Sequence, residues 1–220
     1  AVSWAGDDGK LYLFGGYGLD QDGDLGMLND LWQYDSVTGQ WTWLDGSEFI
    51  SQSGQYGTRG EADAANIPGA RRGAKGWTGV DGKFYLFGGY GLVADGTAGY
   101  LNDLWVYDPD LRQWAWLQGA DQANDAGQYG EKGVPDDANT PGGRAFINVW
   151  TGSNGKLYLF GGARSVEATG SFGDLWRYDP VTNQWTWLRG SDTLNTEGSY
   201  GEKTVEDAFN NPPSRSYSTS

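Results

Sequence analysis

Short runs of alternating apolar and polar side chains, heavy in aromatics, recur along this chain. LYLF (Leu11–Phe14), DLWQYD (Asp30–Asp35) and QWTWL (Gln40–Leu44) are the first set. Between them lie DDGK, DSVTGQ and, further on, VDGK, SNGK and DPVTNQ, all rich in Gly, Asn, Asp or Pro. Period-two alternation bounded by such turn formers predicts strands joined by tight hairpins. A further strand precedes each Gly-Lys turn: AVSWAG at Ala1, RRGAKGWTGV from Arg71 and RAFINVWTG from Arg144.

The strand pattern repeats. LYLFGGYG (Leu11–Gly18), FYLFGGYG (Phe84–Gly91) and LYLFGGAR (Leu157–Arg164) begin 73 residues apart. Downstream, the segments from Leu28, Leu101 and Phe172 return at offsets of 73 and 71. Such a period marks a stacked or circular repeat, whose single unit cannot bury its own apolar face. Four strands per unit is the composition of a propeller blade.

Gly15-Gly16, Gly88-Gly89 and Gly161-Gly162 end the second strand in this reading. Tyr34-Asp35, Tyr107-Asp108 and Tyr178-Asp179 close the third, and Trp41, Trp114 and Trp185 open the fourth. These residues resemble the kelch repeat, in three copies. The resemblance implies an all-β, kelch-type β-propeller: blade 1 over 1–46, blade 2 over 71–119, blade 3 over 144–190, and 215–220 opening a further inner strand. Long loops fill 47–70, 120–143 and 191–214. Kelch units are usually nearer 50 residues; the excess is expected in these loops and in about a dozen residues after each Gly-Gly.

All 12 tryptophans fall on four repeating positions: Trp4, Trp77 and Trp150; Trp32, Trp105 and Trp176; Trp41, Trp114 and Trp185; Trp43, Trp116 and Trp187. An aromatic needed in every blade packs blade on blade, because large rings dominate core energetics. The paired glycines open no helix and precede no Gly-Lys-Ser/Thr, so close backbone approach outweighs a phosphate loop.

A net charge of −14 argues against nucleic-acid or anionic membrane partners. No run is apolar enough to span a bilayer. The acidic, Gly- and Trp-rich make-up suits a secreted or surface bacterial protein. With no His and no Cys, a Ser-His-Asp triad, a Cys nucleophile and a thiolate or imidazole zinc site are ruled out. The copper-radical chemistry of some kelch propellers falls with them. Carboxylate, Tyr, Lys or Arg chemistry remains, as in glycoside hydrolysis.

Candidate site residues come from three patterns. Asp20, Asp22 and Asp24 alternate as calcium ligands can; copies two and three keep Asp95 and Glu167 in the corresponding loops, so a calcium ion would bind blade 1 alone, and a solvated acidic loop is the competing reading. Tyr56, Tyr129 and Tyr200, each followed by Gly and then by Arg59, Lys132 or Lys203, are expected to anchor the long loop on its blade and are, with three arginines, candidate ligand contacts. Arg71, Arg144 and Arg215 each stand three residues after a proline. By resemblance to kelch adaptors that capture acidic peptides, these arginines ring the channel mouth and offer planar donors to an acidic peptide or sugar acid. The competing role is bonding of backbone carbonyls between blades.

Closed propellers typically take four to eight blades. Three blades are therefore expected to be completed either by further blades of a longer chain or by a second copy in a two-chain, six-bladed ring. In that ring Arg215 to Tyr217 would lead into Ala1 of the other chain. The leading functional expectation is a non-enzymatic binding or structural module without a required cofactor. A carbohydrate-active, sialic-acid-type enzyme and an engineered or fragmentary half-propeller that self-assembles are the alternatives.

Overall fold

The computed structural model describes residues 1–164 and 170–216. Thirteen strands form three antiparallel sheets, with no helix among the described residues. Blade 1 contains β1 (Val2–Ala5), β2 (Leu11–Leu19), β3 (Leu25–Asp35) and β4 (Gln40–Asp45), paired in chain order. In blade 2, β5 (Arg71–Arg72) and β6 (Lys75–Thr78) both pair with β7 (Phe84–Leu92), followed by β8 (Ala98–Asp108) and β9 (Gln113–Gln118). Its inner strand is thus one strand broken at Gly73, so each blade is four strands deep. Blade 3 contains β10 (Asn148–Thr151), β11 (Leu157–Phe160), β12 (Leu175–Asp179) and β13 (Gln184–Arg189). The inner-strand register repeats: Trp4 faces Tyr12, Trp77 faces Tyr85 and Trp150 faces Tyr158.

The paired glycines do not end the second strand in blades 1 and 2. The ladder shifts register between Phe14 and Gly16, and again between Phe87 and Gly89, then continues to Leu19 and Leu92. They form a bulge, and the dozen residues after them are mostly hairpin. Gly88 shows why glycine is required: its φ is +66°, and a Cβ there would lie 2.7 Å from the Arg144 carbonyl oxygen. The inner strand of the next blade crosses at that point, where Gly89 N–H donates to the same carbonyl at 2.9 Å.

The core lies between blades. Trp4 stacks on Phe84 at 5.6 Å between ring centres and Phe14 meets Trp114 at 5.2 Å. One junction later, Phe87 meets Trp185 at 5.4 Å. Trp4 and Trp77 each donate their indole N–H to a carbonyl of the following blade, Tyr85 at 3.2 Å and Tyr158 at 3.1 Å. Most tryptophans are therefore junction residues, as their recurrence predicts. Trp41, Trp43 and Trp150 differ in being half exposed, and all three lie on the two faces that no junction covers among the described residues.

Candidate functional site

Of the three arginines in the Pro-x-x-Arg register, Arg71 begins β5 and Arg144 stands four residues before β10, and both lie against the Asp-Leu-Trp segment of a third strand. In blade 2, Arg71 reaches Asp103 through two hydrogen bonds, Nη1 at 2.8 Å and Nη2 at 2.7 Å. Its Nε donates to Gly69 O at 3.0 Å and Nη1 again to Gly88 O at 3.1 Å. In blade 3, Arg144 meets Asp174 at 2.6 and 2.8 Å and also donates to the Gly142 and Gly161 carbonyls and to the Tyr129 hydroxyl. These bonds occupy all five guanidinium N–H groups of Arg144. Both ion pairs are fully buried. Burial opposes the charge on each arginine, and the facing aspartate more than offsets it, so both guanidinium pKa values lie above their ordinary range.

The loop tyrosines complete these clusters. Tyr56 Oη donates to Asp103 Oδ2 at 2.8 Å and Tyr129 Oη to Asp174 Oδ2 at 2.6 Å. The indole N–H groups of Trp105 and Trp176 donate to the same two oxygens. Each aspartate thus accepts four hydrogen bonds from one arginine, one tyrosine and one tryptophan. Burial first, and then the adjacent carboxylate, push the pKa of Tyr56 up, and burial does the same for Tyr129.

Tyr56 and Tyr129 pack not on their own blade, as expected, but on the next one, whereas Tyr200 is exposed. Tyr56 comes after blade 1 and packs in blade 2, between Trp105 at 4.9 Å and Trp116 at 5.1 Å. Tyr129 comes after blade 2 and sits 4.9 Å from both Trp176 and Trp187 in blade 3. The rest of each loop reaches forward too. Arg59 lies 4.3 Å over Trp116 and Lys132 4.3 Å over Trp187, while Gly60 and Gly133 N–H donate to the backbone carbonyls of those two tryptophans. The long loops are clasps across junctions.

The arginines and tyrosines stand out in the sequence, but their shared partner, the aspartate of Asp-Leu-Trp, was not among the expected site residues. Its signal was present: Asp30, Asp103 and Asp174 recur with the same regularity. The structure brings the buried Arg71 together with the buried Tyr56, and the buried Arg144 with the half-buried Tyr129. Arg215 and Tyr200 are exposed, and Tyr217 and Glu167 lie outside the described residues.

Asp20, Asp22 and Asp24 sit in the turn between β2 and β3. Asp20 Oδ1 accepts the N–H groups of Asp22 and Asp24 at 3.0 and 2.9 Å, and Oδ2 accepts that of Ile50 at 3.2 Å. Desolvation opposes ionisation of Asp20, and these backbone donors outweigh it, holding the carboxyl below its ordinary pKa. The Asp20 carboxylate ties its turn to the long loop. Among the described residues no cluster of three or more acidic side chains is arranged to hold a metal ion.

A family model described as the KLHDC2/KLHL20/DRC7 Kelch-repeats domain matches residues 1–205. The chain belongs to the kelch-repeat family. No curated protein sequence matches it. Among solved structures, the kelch chain is similar to YjhT, with a TM-score of 0.56 at 19% identity over 89% of this chain and 54% of YjhT. The chain thus spans about half the length of that propeller, and the likeness concerns the fold alone. No helix among the described residues is long and apolar enough to cross a membrane.

Proposed function

We propose that this kelch chain is a non-enzymatic interaction and scaffold module that works by protein association through its blade faces. One observation carries the reading. Trp41, equivalent to the fully buried Trp114 and Trp185, is 53% exposed, and Trp150, equivalent to Trp4 and Trp77, is 51% exposed. Two faces built from junction residues stand open, and apolar surface of this kind marks interfaces. The recurring polar residues favour the same reading, because Arg71, Arg144, Tyr56 and Tyr129 are consumed in holding blades together rather than offered to a substrate.

Hydrolysis of a fluorogenic aryl sialoside, followed alongside titration with N-acetylneuraminic acid and a glutamate-rich peptide, tests it. Expected are no turnover above the uncatalysed rate and no affinity that depends on Arg71 or Arg144. Turnover by the purified chain would replace this reading with the carbohydrate-active one. Binding abolished by Arg144→Lys in a folded variant would return the arginines to a ligand role.

A further inference from the structure

At both internal junctions four groups meet: the loop leaving one blade brings a tyrosine and, at its end, an arginine onto an aspartate and a tryptophan pair of the following blade. The open faces each carry one half of that set. On the leading face, Asp30 accepts the Trp32 indole N–H at 2.6 Å, as Asp103 does from Trp105, yet among the described residues no guanidinium pairs with it. Trp32 and Trp43 stack on each other at 6.4 Å, and among the described residues no tyrosine packs between them. A groove lined by Asp30, Trp32 and Trp43 marks the vacant seat.

The trailing face carries the other half, already in shape. Arg215 N–H donates to Phe172 O at 3.0 Å and its carbonyl accepts from Gly162, the same backbone bonds that Arg144 makes to Leu101 and Gly89. Arg215 Nε donates to Pro213 O at 3.2 Å, as Arg144 Nε does to Gly142 O. The loop around Tyr200 also keeps the fold of its relatives: Asn210 Nδ2 donates to Val205 O at 3.2 Å, as Asn66 does to Glu61 O at 2.9 Å. What differs is cover. Tyr200 is 80% exposed, where Tyr56 is 6% exposed.

We infer that the trailing face docks on the leading face of a second copy of this chain, placing Arg215 on Asp30 and Tyr200 between Trp32 and Trp43. This rests on the association reading above and names its partner. Lys203 then lies over Trp43, as Lys132 lies over Trp187, and Trp150 covers Leu11 as Trp4 stacks on the equivalent Phe84. The occupant is a second copy because the leading face offers the same residue types, in the same register, that blades 2 and 3 offer to the loops they receive. The contact is head to tail, and two chains form a ring when three blades turn through half a circle.

The mass of the purified chain in solution, measured by light scattering across concentration, tests the inference. A two-chain ring has twice the 23.9 kDa chain mass. Arg215→Ala and Asp30→Ala should each weaken the dimer by at least about thirty-fold, since each leaves a buried charge unpaired at both junctions, while far-UV circular dichroism stays unchanged. Mixing the two variants should restore association, because a mixed ring keeps one junction with both Arg215 and Asp30 intact. A monomer at about 100 µM, an open ladder of oligomers, or a dimer indifferent to both substitutions would each overturn it. A monomer without sialoside turnover defeats only this inference; turnover defeats the association reading as well.

Discussion

Arg144 and Asp174 face each other across blade 3 through two hydrogen bonds, with both side chains fully buried and Tyr129 Oη bonded to the same carboxylate. The pair is costly to break and not necessarily favourable to have. Removing one partner strands a buried charge, typically at about 3–5 kcal/mol. Urea unfolding should show that loss for Arg144→Ala and for Asp174→Ala, whereas Arg144→Met combined with Asp174→Leu should lose less than either single change. A double variant as damaged as the sum of the singles would show that the two residues act independently.

Equivalent tryptophans should respond differently according to junction. Trp114 is fully buried against Phe14, and Trp114→Ala should cost about 3–5 kcal/mol in thermal or urea unfolding of the chain. Trp41 holds the same strand position but stands on the leading face, so Trp41→Ala should lower the stability of the isolated chain far less and should weaken self-association. Equal losses from both would mean that the open face is not open in solution.

Alkaline pH should unfold the protein through its clasps. Burial raises the folded pKa values of Tyr56, Tyr129 and Tyr178 above the ordinary value of about 10, with the Asp103 carboxylate adding to it at Tyr56 and the Arg144 charge opposing it at Tyr129. The folded state therefore keeps these protons where the unfolded state has released them. Their contribution is complete below pH ~10 and falls as pH rises beyond it. Urea midpoints measured between pH ~8 and ~11.5 should be flat and then drop, and Tyr129→Phe should shrink the drop. A midpoint that rises above pH ~10 contradicts this assignment.

Calcium should not stabilise the β2–β3 turn. Asp20 spends its oxygens on backbone N–H groups of Asp22, Asp24 and Ile50. Melting temperatures in millimolar calcium and in chelator should agree, and Asp20→Ala should lower both alike. A melting temperature that rises with calcium in the parent chain and not in Asp20→Ala would place a metal there.

The strands and the blade count were legible because alternation and turn chemistry are local, and because Trp4, Trp77 and Trp150 return at a constant period. The bulge at Gly88 was not, since glycine pairs end strands as readily as they kink them; what decides is the Arg144 carbonyl arriving from the next blade. The arginine register was visible, but its partner was not. Arg71 and Asp103 stand 32 residues apart, and a repeat period says which residues are equivalent, not which ones touch. The direction of Tyr56 was hidden for the same reason: recurrence is unchanged whether a loop folds back on its own blade or forward onto the next.

The forward reach of the clasp gives the molecule an order in time. On a ribosome, Tyr56 and Arg71 emerge before Asp103, and Tyr129 and Arg144 before Asp174, so each new third strand meets a ready receptor as it is made. Domains generally fold as units while the N-terminal part leads, and here the leading part carries the lock for the blade made after it. Growth should proceed blade by blade from the amino end, each addition ratcheted by residues already synthesised, and the exposed Arg215 and Tyr200 carry the same device.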